Sequence, residues 1–126
     1  MTFSMDIVDE WVEIWNTYDL SRVRELFLQD GRVTYFSSEK EGLTKGIDAL
    51  VKHHIEFGFV EGGKDQPNSL WLEDTEIEVF GDTAVVKADW IFKRGSSDQL
   101  QRGPVTLVYV NEGDGYRIGH AHFSNY

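Results

Sequence analysis

The chain has 126 residues, with 22 acidic against 12 basic side chains and a formal net charge of −10. This acidity, together with bases that are scattered rather than clustered, excludes DNA or RNA as a partner and disfavours an anionic membrane. The absence of cysteine excludes disulfides, thiolate nucleophiles and Cys-ligated zinc. The length predicts a single domain spanning residues 1–126.

The N-terminal segment is unlike a secretory signal. MTFSMDIVDEWVEIW carries four acids, and no base precedes Arg22. No apolar run approaches the roughly 20 residues that a membrane helix requires. A cytoplasmic protein without a membrane partner is therefore expected.

Apolar residues at helical spacing predict three helices in the first half of the chain. The first covers residues 4–18 and carries acids on its opposite face. The second lies within YDLSRVRELFLQDG, where Asp19 is placed to cap the helix start and Asp30-Gly31 to end the helix. RVTYFSS follows as a short strand, and LTKGIDALVKHHIEFGF is the third helix.

The period of the apolar residues changes from about 3.6 to 2 after the loop VEGGKDQPNS. Strands are expected at about 69–80, 83–94, 100–111 and 116–124, joined by the hairpin connections GD, GSSDQ and EGDG. Helices followed by long strands predict an α+β fold. We expect a cone-shaped barrel in which a curved antiparallel β-sheet wraps around the N-terminal helices and leaves a pocket.

Five segments occur in a fixed order along the chain: WNTYDLSRVRELFLQDGRVTYF, GIDALVKHH, FGDTAVVKADWIF, RGPVTLVYV and GYRIGHAHFSNY. Together they resemble the SnoaL-like branch of the nuclear-transport-factor-2-like superfamily, whose fold ketosteroid isomerase and several polyketide cyclases share. The resemblance implies the cone-shaped α+β barrel, a homodimer paired through the outer sheet face, and a pocket for a small apolar molecule. It transfers no activity, because this fold hosts enzymes, binders and assembly modules alike.

The ketosteroid isomerase site can be compared position by position in an ungapped alignment. Trp11 stands where that family has a tyrosine, Phe36 where it has the catalytic base, and Thr106 where it has a protonated aspartate. Proton transfer beside a carbonyl requires both a base and a donor for the enolate. The comparison therefore argues against steroid isomerisation by that mechanism.

The last strand carries two of the four histidines, His120 and His122. Strand alternation places them on one face with Ile118, and the alignment directs that face into the cone. His54 lies on the apolar stripe of the third helix and should also point inward, whereas His53 should point away.

Three interpretations of these histidines stay open. They hydrogen-bond Tyr35, Thr106 or the backbone within a partly polar core; or His122, with His120, is a catalytic acid/base or hydrogen-bond partner for a ligand. In the third interpretation His54, His120 and His122 bind a metal, but no carboxylate is placed to complete its coordination, so no metal is predicted.

Several aromatic residues are expected to line the same pocket, with simple core packing as the alternative for any one of them. In strand 83–94 the apolar set that includes Trp90 should face inward, although a bulge or register slip would send Asp89 inside instead. The predicted ligand-binding residues are Tyr35, His54, Trp71, Trp90, Thr106, His120 and His122.

The convex face of the sheet should carry an apolar patch made of Val85, Ile91, Leu107, Tyr109 and Phe123. Such a patch is usually covered by another subunit, which supports a homodimer. The preferred function is binding of a small, largely apolar molecule without a cofactor. The alternatives are a cofactor-independent isomerase, cyclase or lyase that uses His122 and His120, and an oligomeric assembly or stress-associated module without catalysis.

Overall fold

A computed structural model describes residues 2–95 and 97–126. Ser96, which falls in the predicted GSSDQ connection, lies outside the described residues. Three helices and six strands follow one another as α1 (Met5–Thr17), α2 (Leu20–Leu26), β1 (Thr34–Phe36), β2 (Thr44–Lys45), α3 (Ile47–Phe57), β3 (Ser69–Phe80), β4 (Thr83–Lys93), β5 (Leu100–Asn111) and β6 (Tyr116–Phe123). The predicted helices and long strands are therefore confirmed to within a few residues, except that the start of the third helix is wrong.

The first two helices meet at a sharp turn. Tyr18 ends α1 in the left-handed conformation (φ 57°), and its N–H donates to the carbonyl of Ile14 at 2.8 Å. Asp19 caps α2 as predicted, because its side chain accepts a hydrogen bond from the backbone N–H of Ser21 at 3.0 Å. This turn lets both helices cover the same face of the sheet.

The third helix starts later than the sequence pattern predicts. Thr44 and Lys45 form the short strand β2, which pairs with β1. Gly46 has φ 87°, a conformation that favours glycine, and it separates β2 from α3. Two residues of an apparently helical pattern therefore extend the sheet instead.

All six strands belong to one sheet, in the order β2-β1-β6-β5-β4-β3. Neighbouring strands are antiparallel except β1 and β6, which are parallel. The sheet is thus mixed rather than wholly antiparallel, and its end strands β2 and β3 do not pair with each other in the described part of the chain. The fold is the expected α+β cone, open along one side.

The register of β4 is the one that the apolar pattern predicts. Ala84, Val86, Ala88, Trp90 and Phe92 all belong to the buried core under the helices. Asp89 lies on the opposite face, and the hydroxyl of Tyr126 donates a hydrogen bond to its carboxylate. The prediction that Trp90 rather than Asp89 points inward is therefore confirmed.

A β-bulge in β6 changes the face on which its last residues lie. Tyr109 pairs with Ile118 and Val108 pairs with His120, so that Gly119 is an extra residue on β6. Ile118, Ala121 and Phe123 are all buried in the core. Strict alternation would have placed Ile118 and His120 on the same side of the sheet. Because Gly119 is an extra residue, Ile118 lies on the inner side and His120 on the outer side.

The predicted composition of the convex face is correct for Val85 and Ile91 and wrong for the other three residues. Leu107, Tyr109 and Phe123 are buried in the core, at 0%, 2% and 7% exposure. Directly paired residues point to the same side of a sheet. The outer face, meaning the sheet surface away from the helices, therefore includes Thr34, Phe36, Trp71, Val85, Lys87, Asp89, Ile91, Thr106, Val108, His120 and His122.

No helix in the described part of the chain is long and apolar enough to cross a membrane.

Candidate functional site

A cavity lies between the helices and the concave face of the sheet, and it opens at one end of the cone. It has a volume of about 30 Å³. This is room for about two water molecules. The lining side chains come from two helices, from five strands and from the segments beside the strands: Trp15, Tyr35, Ser37, Ser38, Glu39, His53, Phe57, Leu70, Trp90, Phe92, Arg94, Gln101 and Phe123.

The interior of the cavity is aromatic. The ring of Phe123 lies 5.7 Å from that of Trp90 and 5.9 Å from those of Trp15 and Tyr35, measured between centroids. Phe57 meets Trp15 edge-on at 5.1 Å. These tilted and edge-to-face contacts are the arrangements that aromatic pairs prefer, and they create flat, apolar walls.

Tyr35 and Trp90 occupy the positions that the sequence predicts for them, since both line the cavity. Tyr35 is 1% exposed, and burial raises the pKa of its phenol far above the usual value, so it stays neutral. The indole N–H of Trp90 donates to the carbonyl of Ser124 at 2.9 Å and fixes the ring. Their predicted part in ligand binding stays a prediction.

The mouth of the cavity is polar and consists of Ser37, Ser38, Glu39, His53, Arg94 and Gln101. The guanidinium of Arg94 donates to Oε1 of Glu39 at 3.0 Å and to Oε1 of Gln101 at 2.9 Å. It also lies 5.1 Å from the ring centroid of Phe92 and 5.9 Å from that of Phe57. Arg94 therefore joins the aromatic interior to the charged rim.

His53 lies at the mouth, and the prediction that it points away from the pocket is wrong. Helix α3 has a broad buried face that includes Leu50, His53 and His54. The ring of His53 lies 5.2 Å from that of Tyr35. Burial lowers the pKa of this imidazole, and the charge of Lys40 lowers it further. At neutral pH it is thus an uncharged hydrogen-bonding group beside the opening.

His54 points inward as predicted, but it lies in the closed core and does not line the cavity. Its Nδ1–H donates to the carbonyl of Leu50 at 2.8 Å, because a carbonyl can only accept. Nε2 is left as a buried acceptor without a partner among the described residues. Burial lowers the pKa of His54 to about 4, so the ring is neutral.

The prediction that His120 and His122 point into the cone is wrong, because the bulge at Gly119 directs both rings to the outer face. There Nδ1 of His120 lies 2.7 Å from the hydroxyl of Thr34, and the ring of His122 lies 4.9 Å from that of Phe36. Burial lowers the pKa of His120, and the neighbouring His122 adds to this effect. The acid/base role predicted for the pair depended on an inward position that these residues do not have.

Two further predicted ligand-binding residues, Trp71 and Thr106, also lie on the outer face. Trp71 pairs with Ile91, and Thr106 pairs with both Lys87 and His122. Neither lines the cavity. The indole N–H of Trp71 donates to Glu73 at 3.2 Å. Their predicted placement in the pocket is therefore wrong. In each strand the alternation of side chains directs these two positions to the outer face.

The alternative three-histidine metal set is not assembled. His54 lies in the core, whereas His120 and His122 lie on the other side of the sheet. Within residues 2–95 and 97–126, no group of three or more His, Asp or Glu side chains is placed to hold a metal ion.

The positions compared with ketosteroid isomerase lack its chemistry in the structure as well. Trp11 is a fully buried core residue, and Phe36 and Thr106 lie on the outer face. Glu39 at the mouth is the one carboxylate among the described lining residues. The deep part of the cavity therefore offers aromatic rings but no carboxylate base.

The model of one protein family matches nearly the whole chain, over residues 5–126, and its description is "SnoaL-like domain". The chain belongs to the SnoaL-like domain family. No match is found among curated protein sequences.

Solved structures share the fold of this SnoaL-like domain at low sequence identity. An NTF2-like protein from Pseudomonas putida KT2440 has a TM-score of 0.82 at 19% identity, over 95% of this chain and 82% of that one. An NTF2-like superfamily protein from Salmonella enterica serovar Typhimurium LT2 has a TM-score of 0.77 at 19% identity, over 95% and 86%. The CaMKII hub of S. rosetta has a TM-score of 0.77 at 24% identity, over 97% and 93%. These likenesses establish the cone fold alone.

The sequence contained signals for some of the lining residues that the prediction missed. Phe92 and Arg94 follow Trp90 at steps of two, which places all three on one face of β4 and its continuation. His53 follows Leu50 by three residues, a spacing that returns to the same helix face. No pattern in the sequence indicates Glu39, because it lies in the turn between β1 and β2.

Proposed function

We propose that this SnoaL-like domain binds a small, largely apolar molecule in the cavity and works as a homodimer paired through the outer face. The single observation that supports binding is the composition of the cavity, whose aromatic walls lead to a rim of polar groups. Small-molecule sites commonly combine apolar walls with a few polar groups that orient the ligand.

Binding requires the mouth to widen. A volume of about 30 Å³ is smaller than any aromatic or branched apolar ligand. The side chains that close the mouth, Glu39 and Arg94, are both about half exposed, and they are held by one ion pair. A ligand would enter by separating this ion pair while the rings behind it adjust their rotamers.

Tryptophan fluorescence is expected to report binding in the cavity. Trp15 and Trp90 line the cavity and Trp71 lies on the outer face, so a ligand contacts the first two indoles and not the third. A ligand found by thermal-shift screening of apolar compounds should change the emission of wild type and Trp71→Phe. The change should be smaller in Trp90→Phe, which keeps Trp15 as the remaining indole among the described lining residues. A response in Trp90→Phe equal to that of wild type would mean that the ligand does not contact the Trp90 ring.

The dimer is proposed from the side chains of the outer face. The apolar group there is the directly paired Val85 and Val108 together with Phe36, which lies on the other side of His120 and His122. Val108→Glu places a charge at this group, and burying it in an interface would be unfavourable. We expect light scattering after size exclusion to give a dimer for wild type and a monomer for Val108→Glu.

The control for this substitution is Val79→Glu, at an exposed position in β3 away from the proposed interface. It should leave the dimer intact. A monomeric wild type, or a Val108→Glu variant that stays dimeric, would contradict pairing through this face.

A non-catalytic assembly module is the second candidate, and the small volume of the cavity favours it. An interior almost filled by its own side chains suits a structural role, and the CaMKII hub has the same fold. Discrete oligomers larger than a dimer, with no thermal shift from apolar compounds, would favour assembly over ligand binding.

A further inference from the structure

Arg94 and Glu39 form a latch across the mouth of the cavity. Arg94 follows the last residue of β4, and Glu39 lies in the turn between β1 and β2, so their ion pair joins two sides of the opening. Gln101 accepts a second hydrogen bond from Arg94, through Nε. The guanidinium therefore has a fixed position above the rings of Phe57 and Phe92.

The bond to Glu39 is the replaceable part of this latch. The side chains of Arg94 and Glu39 are 48% and 46% exposed, and ion pairs with this exposure are weak. The Gln101 bond and the aromatic contacts do not involve Glu39. A different carboxylate could therefore take its place while Arg94 keeps its position.

We propose that Arg94 binds the carboxylate of a small aromatic acid, which displaces Glu39 and opens the latch; this rests on the proposed ligand-binding function. Guanidinium and carboxylate match in shape and form paired, charge-assisted hydrogen bonds. The aromatic body of the acid would enter between the rings of Phe57, Trp90 and Phe123, which line the same cavity as Arg94.

The charges around the mouth favour a single negative charge on the ligand. Arg94 is the one cationic side chain among the described lining residues. Lys40 lies just outside, in a neighbouring depression that also contains Glu39 and Glu56. A dianion such as a phosphate monoester would bring a second charge that Arg94 alone does not neutralise, close to these two carboxylates.

Calorimetric titration with matched probes tests this assignment. Benzoate and benzamide have nearly the same shape and differ in charge, and phenyl phosphate supplies the dianion. For the wild type we expect benzoate to bind at least about tenfold more tightly than benzamide, a difference of about 1.4 kcal/mol, and phenyl phosphate more weakly than benzoate.

Three variants separate the latch from the cavity. Arg94→Met keeps an apolar stem and removes the charge, so it should lose the preference for benzoate and still bind benzamide. Glu39→Gln removes the competing carboxylate and should strengthen benzoate binding several-fold. Arg102→Met is the matched control, because Arg102 also stacks on an aromatic ring, that of Tyr126, away from the mouth. It should behave as wild type.

The outcomes distinguish the two proposals. Equal binding of benzoate and benzamide by wild type, or an unchanged preference in Arg94→Met, overturns carboxylate recognition and leaves the apolar binding function standing. If phenyl phosphate binds more tightly than benzoate, the assignment of a monocarboxylate is wrong. If neither benzoate nor benzamide binds to wild type or Glu39→Gln, the binding function fails together with the inference.

Discussion

Gly103→Ala is expected to lower the free energy of unfolding by about 3 kcal/mol. A Cβ at position 103 would lie 1.9 Å from the carbonyl oxygen of Ser124 and 2.9 Å from the Cα of Asn125. Both atoms belong to the backbone, so no rotamer change relieves the overlap. The C-terminal segment would have to leave the edge of β5.

Three hydrogen bonds depend on that segment and give the size of the effect. Ser124 N–H donates to Pro104 at 3.0 Å, Tyr126 N–H donates to Arg102 at 3.1 Å, and the indole of Trp90 donates to Ser124 at 2.9 Å. Each is worth about 1 kcal/mol. Because Trp90 also lines the cavity, the substitution should disturb the site as well as the stability.

Urea unfolding followed by circular dichroism measures this loss, and Gly31→Ala is the matched control. A Cβ at Gly31 has no heavy atom within 4 Å. Its effect should stay within about 0.5 kcal/mol. If the two variants unfold at the same urea concentration, the C-terminal segment does not pack against β5 as described.

The fold could be predicted from the sequence because each element has its own period. The apolar residues of α1 recur at helical spacing, and every second position of β4 from Ala84 to Phe92 is apolar. Residues 44 and 45 are predicted as part of the third helix but form β2, because a strand of two residues is too short to show a periodicity in the sequence. The parallel pairing of β1 with β6 is set by packing between distant parts of the chain, which local patterns do not contain.

The candidate site was predicted less well because it depends on the faces of β5 and β6. VTLVYV is apolar on both of its faces, so alternation alone does not tell which of Leu107 and Val108 is buried. In β6 the apolar residues Ala121 and Phe123 alternate with the polar residues His120 and His122. This contrast did indicate the correct inner face. The ungapped alignment favours the opposite face, and the assumed alternation has no bulge at Gly119, a residue type that often marks one.

The strongest pH effect on stability should come from His54. Its pKa is lowered to about 4 in the folded protein from an ordinary value of 6.5. Between pH 6.5 and 4 the unfolded chain therefore binds a proton on this ring that the folded protein does not bind. The stability contributed by the neutral ring is fully present above pH 6.5 and is lost as the pH falls towards 4. A difference of this size corresponds to roughly 3 kcal/mol. The lowered pKa values of His53 and His120 act in the same direction.

His54→Leu isolates this contribution from that of the carboxylates. At pH 7 the variant should lie within about 1 kcal/mol of wild type, because it loses the bond to Leu50 and also an acceptor, Nε2, that has no partner among the described residues. Between pH 6.5 and 4 its free energy of unfolding should fall less steeply, so that near pH 4 it is the more stable protein by roughly 3 kcal/mol.

Urea unfolding at half-unit pH steps measures both curves, which should run parallel above pH 7. Curves that stay parallel down to pH 4 would mean that the folded protein accepts the proton on His54, and hence that this imidazole is not sealed among Trp15, Tyr35 and Phe59.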